Sequence, residues 1–281
     1  MALASGGPVD AIEVEENGAA ESATLERFEG PADVLIVAVK APVLATAAEA
    51  AQPLVSPETV IVPMLNGVPW WFTDEPLRSI DPEGRIARAL PSEQVIGCVV
   101  HAACHRPAPR KVVVKLADKL IIGEPQGGAT IERLARLYAL FDEAKLKPDI
   151  TGNVRRATWY KLWGNATINP LSALTRASAD QLLADPALRA FMAEAMAELA
   201  QVGAAIDCRI TESSEDRMAV TARLGSFKPS MLQDVEAGRE IELEALVGAP
   251  REIAGRYSIA TPALDRIYAM AALMSRSLRL L

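Results

Sequence analysis

The chain has 281 residues, half of them apolar and 23% charged, with a formal net charge of -7. This is the composition of a globular protein with room for one large or two ordinary domains, and its acidity argues against a nucleic-acid partner, because phosphate recognition needs a basic patch. No apolar run approaches the roughly 20 residues of a membrane span, and Met1-Ala2-Leu3-Ala4-Ser5-Gly6-Gly7-Pro8 lacks the features of a signal peptide, so a cytoplasmic enzyme or binding protein with no membrane partner is expected.

In chain order, Pro31-Ala32-Asp33 leads into Val34-Leu35-Ile36-Val37-Ala38-Val39, a continuous apolar run suited to a strand buried on both faces of a parallel sheet. An alanine-rich helix is predicted from about Val43 to Pro53, followed by a second apolar strand at 59–64, which completes a βαβ unit. Further strands are expected at 95–102, 111–116 and 120–123, then a helix over about 131–144. After Asp149 helical periodicity dominates, so Asp149-Ile150-Thr151-Gly152-Asn153 reads as the junction between an α/β domain (1–150) and an all-helical domain (151–281). Asp185-Pro186, Lys228-Pro229 and Thr261-Pro262 are start signals for helices within the second domain.

Three cysteines, an odd count, suggest free thiols. Cys98, His101, Cys104 and His105 lie in a predicted strand, where alternation sends the cysteines to one face and the histidines to the other. Ligands split across a sheet cannot enclose one tetrahedral ion, so no metal site is expected.

Trp159-Tyr160-Lys161-Leu162-Trp163-Gly164-Asn165-Ala166-Thr167-Ile168-Asn169-Pro170 places Lys161, Asn165 and Asn169 at four-residue spacing, on one face of a helix. Each such group buried without a partner would cost about 1–3 kcal/mol. The stripe is therefore either one wall of a ligand cleft or a wet surface on which Lys161 snorkels.

The patches Val37-Ala38-Val39-Lys40-Ala41, Leu65-Asn66-Gly67, Trp159 to Pro170 and Ser230-Met231-Leu232-Gln233-Asp234, with Glu240-Ile241-Glu242-Leu243-Glu244 continuing the last, together resemble the ketopantoate reductase (2-dehydropantoate 2-reductase) family. The resemblance runs from about residue 30 to the C-terminus. It implies a Rossmann-like domain, a helical domain, and reduction of ketopantoate, a small 2-oxo acid, to pantoate by NADPH in the pathway to pantothenate and coenzyme A. By the same resemblance, Lys161 is the catalytic proton donor, a role an ammonium can fill where negative charge grows on a ketone oxygen. Asn165, Asn169 and Ser230 match substrate-binding positions, Asn66 a position that meets both substrate and cofactor, and Lys40, Ala103 and Glu242 cofactor-binding positions, Ala103 through its backbone.

Three of these residues have plainer readings. Ser230-Met-Leu-Gln233 is also a capping-box pattern, Glu242 could belong to an acidic solvated helix face with Glu236, Glu240 and Glu244, and Asn66-Gly67 could be only a tight turn. Unbroken helix would put Ser230 and Glu242 about 18 Å apart, so either each meets a different ligand or the helix breaks near Gly238. Against the family pattern, Ala179 stands where a further substrate-binding amide is common, with Ser178 and Asp180 as neighbours that could compensate. Val68-Pro69-Trp70-Trp71-Phe72 is bulkier than the usual continuation and is expected to reshape the cleft.

No G-x-G-x-x-G occurs in the chain, and neither Gly6-Gly7 nor Gly127-Gly128 stands between a strand and a helix as that turn requires. Roughly the first forty to fifty residues of the family pattern, which carry its first strand, Gly-rich turn and helix, have no counterpart here. The expected fold is accordingly an incomplete Rossmann-like parallel sheet followed by an all-helical second domain, an N-terminally truncated form whose grip on NADPH is weak. Two alternatives stand beside the ketopantoate reading: a reductase of a different 2-oxo acid, and a non-catalytic remnant that acts through its helical domain. Leu264, Ile267, Tyr268, Ala271 and Met274 form an apolar stripe that either packs within that domain or makes a homodimer contact.

Overall fold

A computed structural model of the protein describes residues 11–24, 29–108, 110–128 and 132–280. Gly6-Gly7 and the first predicted residue of the 131–144 helix lie outside them. Contacts divide the chain into two compact units: the first holds the described residues up to Val39 together with Val43–Leu65 and Arg85–Val154, and the second holds Lys40–Pro42, Asn66–Gly84 and the chain from Arg155 onward.

The first unit is α/β. Strand β3 (Val34–Val37) and β4 (Val60–Pro63) run parallel, joined by α1 (Leu44–Ala51), so the βαβ unit forms where the apolar runs predict it. Gln52-Pro53-Leu54 prolongs α1 as a 3-10 turn, since Pro53 cannot continue an α-helical ladder. The short α2 (Arg85–Ala89) packs beside α1, and a single parallel bridge, Ile61 to Val95, continues the edge of β4. Next come β5 (Gly97–Ala108) and β6 (Lys111–Gly123), a long antiparallel pair in which the two strands predicted over 111–123 are one. The unit closes with α3 (Glu132–Glu143) and β7 (Asp149–Ile150), which pairs in parallel with β6. Its core gathers Val62, Ile96, Cys98 and Ile122 from the strands under Leu134, Leu137 and Phe141 of α3.

The expected parallel pairing is present in β3–β4, and the remaining strands are mixed. Beside the two-stranded parallel sheet β3–β4 stands a separate five-stranded one in the order β2-β1-β6-β5, with β7 on β6, which a hairpin of β1 (Ala11–Glu16) and β2 (Ala19–Thr24) extends, β1 lying antiparallel to β2 and parallel to β6. The hairpin turn is Asn17-Gly18, both with positive φ (51° and 80°), the pairing a two-residue hairpin favours. Register shifts in β5 after His101, Ala103 and His105 break the simple alternation assumed for the cysteines. Cys98 is buried while Cys104 is exposed, and the side chain of His105 lies outside the described ones. No group of three or more His, Cys, Asp or Glu among the described residues could hold a metal ion.

The second unit is helical and built around α4 (Val154–Thr175). Trp159 and Trp163 of α4 are fully or almost fully buried and donate their indole N–H groups to Leu199 O (3.0 Å) and Met196 O (2.7 Å) of α6 (Pro186–Ala205). Asp185 caps α6 through the N–H groups of Ala187 and Leu188, as Asp185-Pro186 predicts. Around this pair stand α5 (Ala179–Ala184), α7 (Ser214–Ala222), α8 (Ser230–Glu236), α9 (Ala249–Arg256) and α10 (Pro262–Ser277). The first N–H groups of α10 are met by a carboxylate from α6, Glu198, which accepts from Ala263 and Leu264. Leu264, Ile267 and Ala271 of the α10 stripe are completely buried inside the unit, whereas Tyr268 and Met274 are only half-buried. Among the described residues no helix is long and apolar enough to cross a membrane.

Residues 66–84 also belong to this unit. Val68 N–H donates to Ala245 O (2.8 Å), Phe72 stacks on Trp159 with centroids 5.8 Å apart, and the N–H groups of Arg78 and Ser79 donate to Glu252 of α9. Trp70, Trp71 and Phe72 are core residues, each less than a tenth exposed.

Candidate active site

The polar stripe on α4 has three different environments. Asn169 is 5% exposed and its amide donates to Ser230 Oγ (3.4 Å). Asn165 is half-buried, and its side chain makes no hydrogen bond among the described residues. Lys161, also half-buried, donates from Nζ to Asn66 Oδ1 at 2.8 Å. A cation held by a carboxamide is not the snorkelling residue of a wet surface.

Asn66 connects two charged groups. Its carbonyl accepts a hydrogen bond from Lys161 Nζ, and its side chain lies near enough to the Glu242 carboxylate to favour the charged form of that acid. Its place is fixed by backbone: Gly67 has φ of 80°, and a Cβ there would run into Ala245 O and C. Ala245 lies in a π-helical turn, Glu244–Gly248, whose widened backbone presents Ala245 O to Val68 N–H. The Asn-Gly pair is thus a turn with a purpose, locked against the segment that carries Glu242.

Glu242 is 6% exposed, whereas Glu236, Glu240 and Glu244 are exposed. It is not a member of a solvated acidic face, because α8 ends at Glu236 and Gly238 turns the chain with φ of 64°. The break resolves the 18 Å separation that an unbroken helix would impose. Burial raises the Glu242 pKa; the Ala41 N–H, which donates to Oε1 at 3.1 Å, and the nearby Lys40 charge oppose that rise, and Asp234 adds to it.

Ser230 opens α8, yet the capping box does not form there. Its side chain makes no cap bond, and Gln233 Nε2 donates to Lys228 O (2.8 Å) instead of reaching back to a Ser230 cap. Pro229 takes the cap position, which leaves Ser230 Oγ to accept from Asn169.

Lys40 follows β3 in sequence but packs with the helical unit, where it forms an ion pair with Asp234. Asp234 is 2% exposed and also receives Arg239 Nε at 3.0 Å. Neither Asp234 nor the Ala41 N–H stands out as a site group in the sequence, although Asp234 falls one helical turn after Ser230 in the same motif. Ala103 belongs to the first unit, in β5 opposite Leu116, with its side chain outside the described ones.

Ala179 is completely buried at the start of α5. Ser178 and Asp180 do not replace the amide missing there: Ser178 Oγ is bonded to Asp180 and Gln181 in the capping box of α5.

Chemically, Lys161, Asn66, Glu242, Asn165, Asn169 and Ser230 offer one cation, one acid and several neutral donors and acceptors. That set suits a small anionic substrate whose carbonyl gains charge during reaction.

Comparison with known proteins agrees with this chemistry. The family profile described as ketopantoate reductase PanE/ApbA matches residues 4–127, and its C-terminal counterpart matches residues 153–275. A 2-dehydropantoate 2-reductase of Mesorhizobium japonicum is 33% identical over 249 residues, covering 86% of this chain and 76% of that protein. One from Aquifex aeolicus is 28% identical over 246 residues, covering 85% and 75%. Among solved structures, a protein of Ralstonia solanacearum assigned to the ketopantoate reductases superposes with a TM-score of 0.91 at 40% identity, over 96% of this chain and 86% of that one. A D-mandelate dehydrogenase solved with NADH and anilino(oxo)acetate shares the fold, with a TM-score of 0.81 at 20% identity over 96% and 86% of the two chains. The chain belongs to the ketopantoate reductase family of oxidoreductases.

Proposed function

We propose that the protein reduces ketopantoate to pantoate at the expense of NADPH, with Lys161 as proton donor. The observation that carries this reading is the cluster of Lys161, Asn66 and Glu242, in which a half-buried ammonium is aimed by a carboxamide that lies beside a buried acid. Lys161 stabilises the growing negative charge on the ketone oxygen and delivers a proton to it. Asn165 and Ser230 supply neutral hydrogen-bonding groups for the substrate's carboxylate and hydroxyl, and Asn169 holds Ser230 in place.

The nicotinamide cofactor supplies the hydride. The residues present fit its nicotinamide end: Asn66, Glu242 and Lys40 form a compact polar cluster whose acid is held largely out of solvent, and the Ala103 backbone is a further contact by family resemblance. The domain roles are those the family resemblance implies, the α/β part holding NADPH and the helical part substrate, with Lys40, Asn66 and Glu242 contributed from the helical unit.

A second reading, reduction of another 2-oxo acid, is favoured by the completely buried Ala179, which offers no amide to the substrate's far end. The mandelate dehydrogenase of the same fold also argues that the fold alone fixes neither substrate nor cofactor. The remnant reading sits poorly with the convergence of Lys161, Asn66 and Glu242, the first two hydrogen-bonded and the third buried beside them. Steady-state oxidation of NADPH and of NADH, each with ketopantoate and with 2-oxo acids that lack its hydroxyl, separates the readings. Highest kcat/KM with ketopantoate and NADPH supports the proposal; preference for an acid without the hydroxyl supports the second reading.

A further inference from the structure

Asp234 lies on α8 one turn after Ser230, so both residues occupy one face of the helix. It is 2% exposed, a burial that a carboxylate sustains only when paired, and it has two cations: Lys40, 42% exposed at its side chain, and Arg239, 52% exposed at its side chain. The two differ in where they lead. Arg239 is a short-range neighbour whose own N–H donates to Asp234 O. Lys40 precedes Ala41, whose N–H donates to Glu242 Oε1. The ion pair therefore anchors the three-residue segment Lys40–Pro42 at the point where its backbone meets the buried acid.

We propose that Asp234 is a positioning residue of the reductase site: by fixing Lys40 it holds the Ala41 N–H on Glu242 and keeps the Lys40 ammonium from collapsing onto that acid. The groups facing Glu242 are then disposed on separate elements, with Lys40 and Ala41 on one segment, Asn66 on another and Asp234 on α8. Since Asn66 lies beside Glu242 and accepts from Lys161, the series Asp234–Lys40–Ala41–Glu242–Asn66–Lys161 runs from a residue with no expected contact to substrate to the proton donor. The catalytic consequence rests on the proposed role of Lys161; the positioning does not.

The test compares Asp234→Asn, Asp234→Glu, Lys40→Met, Arg239→Gln and the Asp234→Asn/Lys40→Met double variant in the intact protein. Hydrogen exchange at the Ala41 amide should speed up roughly tenfold or more in Asp234→Asn, the scale on which loss of a buried ionic partner is felt. The same acceleration is expected in Lys40→Met and no further acceleration in the double variant, because both act through one contact. Arg239→Gln should leave Ala41 protected, and Asp234→Glu should restore it. In carboxyl NMR, with the signal assigned by Glu242→Gln, the titration of Glu242 should move up in Lys40→Met, which loses both a nearby cation and the amide bond. Equal acceleration in Arg239→Gln, or additive effects in the double variant, would reduce Asp234 to a general structural residue and overturn the proposal. Neither readout requires turnover: loss of Ala41 protection in an inactive protein removes the functional reading and keeps the positioning, and unchanged protection in an active one does the reverse.

Discussion

Lys161 Nζ donates to Asn66 Oδ1 at 2.8 Å across 95 residues of sequence. The same carboxamide lies close to Glu242 and favours its charged form, so one side chain neighbours both the ammonium and the buried acid. An aspartate could keep the contact to Lys161 but would set a second anion against Glu242; an alanine would lose both contacts.

Asn66→Ala and Asn66→Asp should each lower kcat/KM by roughly 10- to 100-fold, the range of a misplaced catalytic group, with circular dichroism unchanged. The Asp variant should be the more sensitive to raised pH, because only it adds a charge beside Glu242. Near wild-type activity in both would detach Asn66 from the site.

Gly67 carries the left-handed backbone that aims Asn66, and a Cβ there would meet the Ala245 backbone, which cannot yield as a side chain can. Gly67→Ala should cost about 1–3 kcal/mol in denaturant unfolding from strain, and activity should fall further than stability because the turn shifts with it. A variant as stable and active as wild type would mean that the turn relaxes freely.

The raised Glu242 pKa makes a signed statement about stability. A carboxyl whose folded pKa lies above its usual 4.5 binds more protons folded than unfolded, so stability falls as pH climbs through that interval. Below 4.5 both states are protonated and the penalty vanishes. Glu242→Gln, a neutral isostere, should therefore be more stable than wild type near neutrality, with the advantage shrinking as the solution is acidified. Melting curves of the two proteins across that range check the sign; an advantage that grows on acidification would contradict it.

Much of this was legible in the chain itself. Strands β3 and β4 form in the runs 34–39 and 59–64, and β4 is covered as expected, but β3 is not buried on both faces, since Ile36 is 46% exposed and Val34 and Leu35 are only half-buried. The four-residue spacing of Lys161, Asn165 and Asn169 likewise puts them on one helix. The β1–β2 hairpin escaped notice although its signal was present, since Ile12 and Val14 alternate with acids ahead of Asn17-Gly18. The membership of residues 66–84 in the helical unit was not legible, because it depends on Val68 meeting Ala245 and on Phe72 meeting Trp159, contacts that no local pattern encodes. For the same reason the division into residues 1–150 and 151–281 misses that Lys40–Pro42 and Asn66–Gly84 pack with the helices. Ser230 offered two competing local patterns, and Pro229 at the cap position decided against the capping box.

The most direct measurement is ketopantoate-dependent oxidation of NADPH by wild-type protein and by Lys161→Ala, at cofactor concentrations high enough to saturate. The account predicts turnover by the wild type and a fall of roughly 10²-fold or more in the variant, the scale of general acid catalysis, with the cofactor KM little changed. Equal turnover in the two proteins would contradict it.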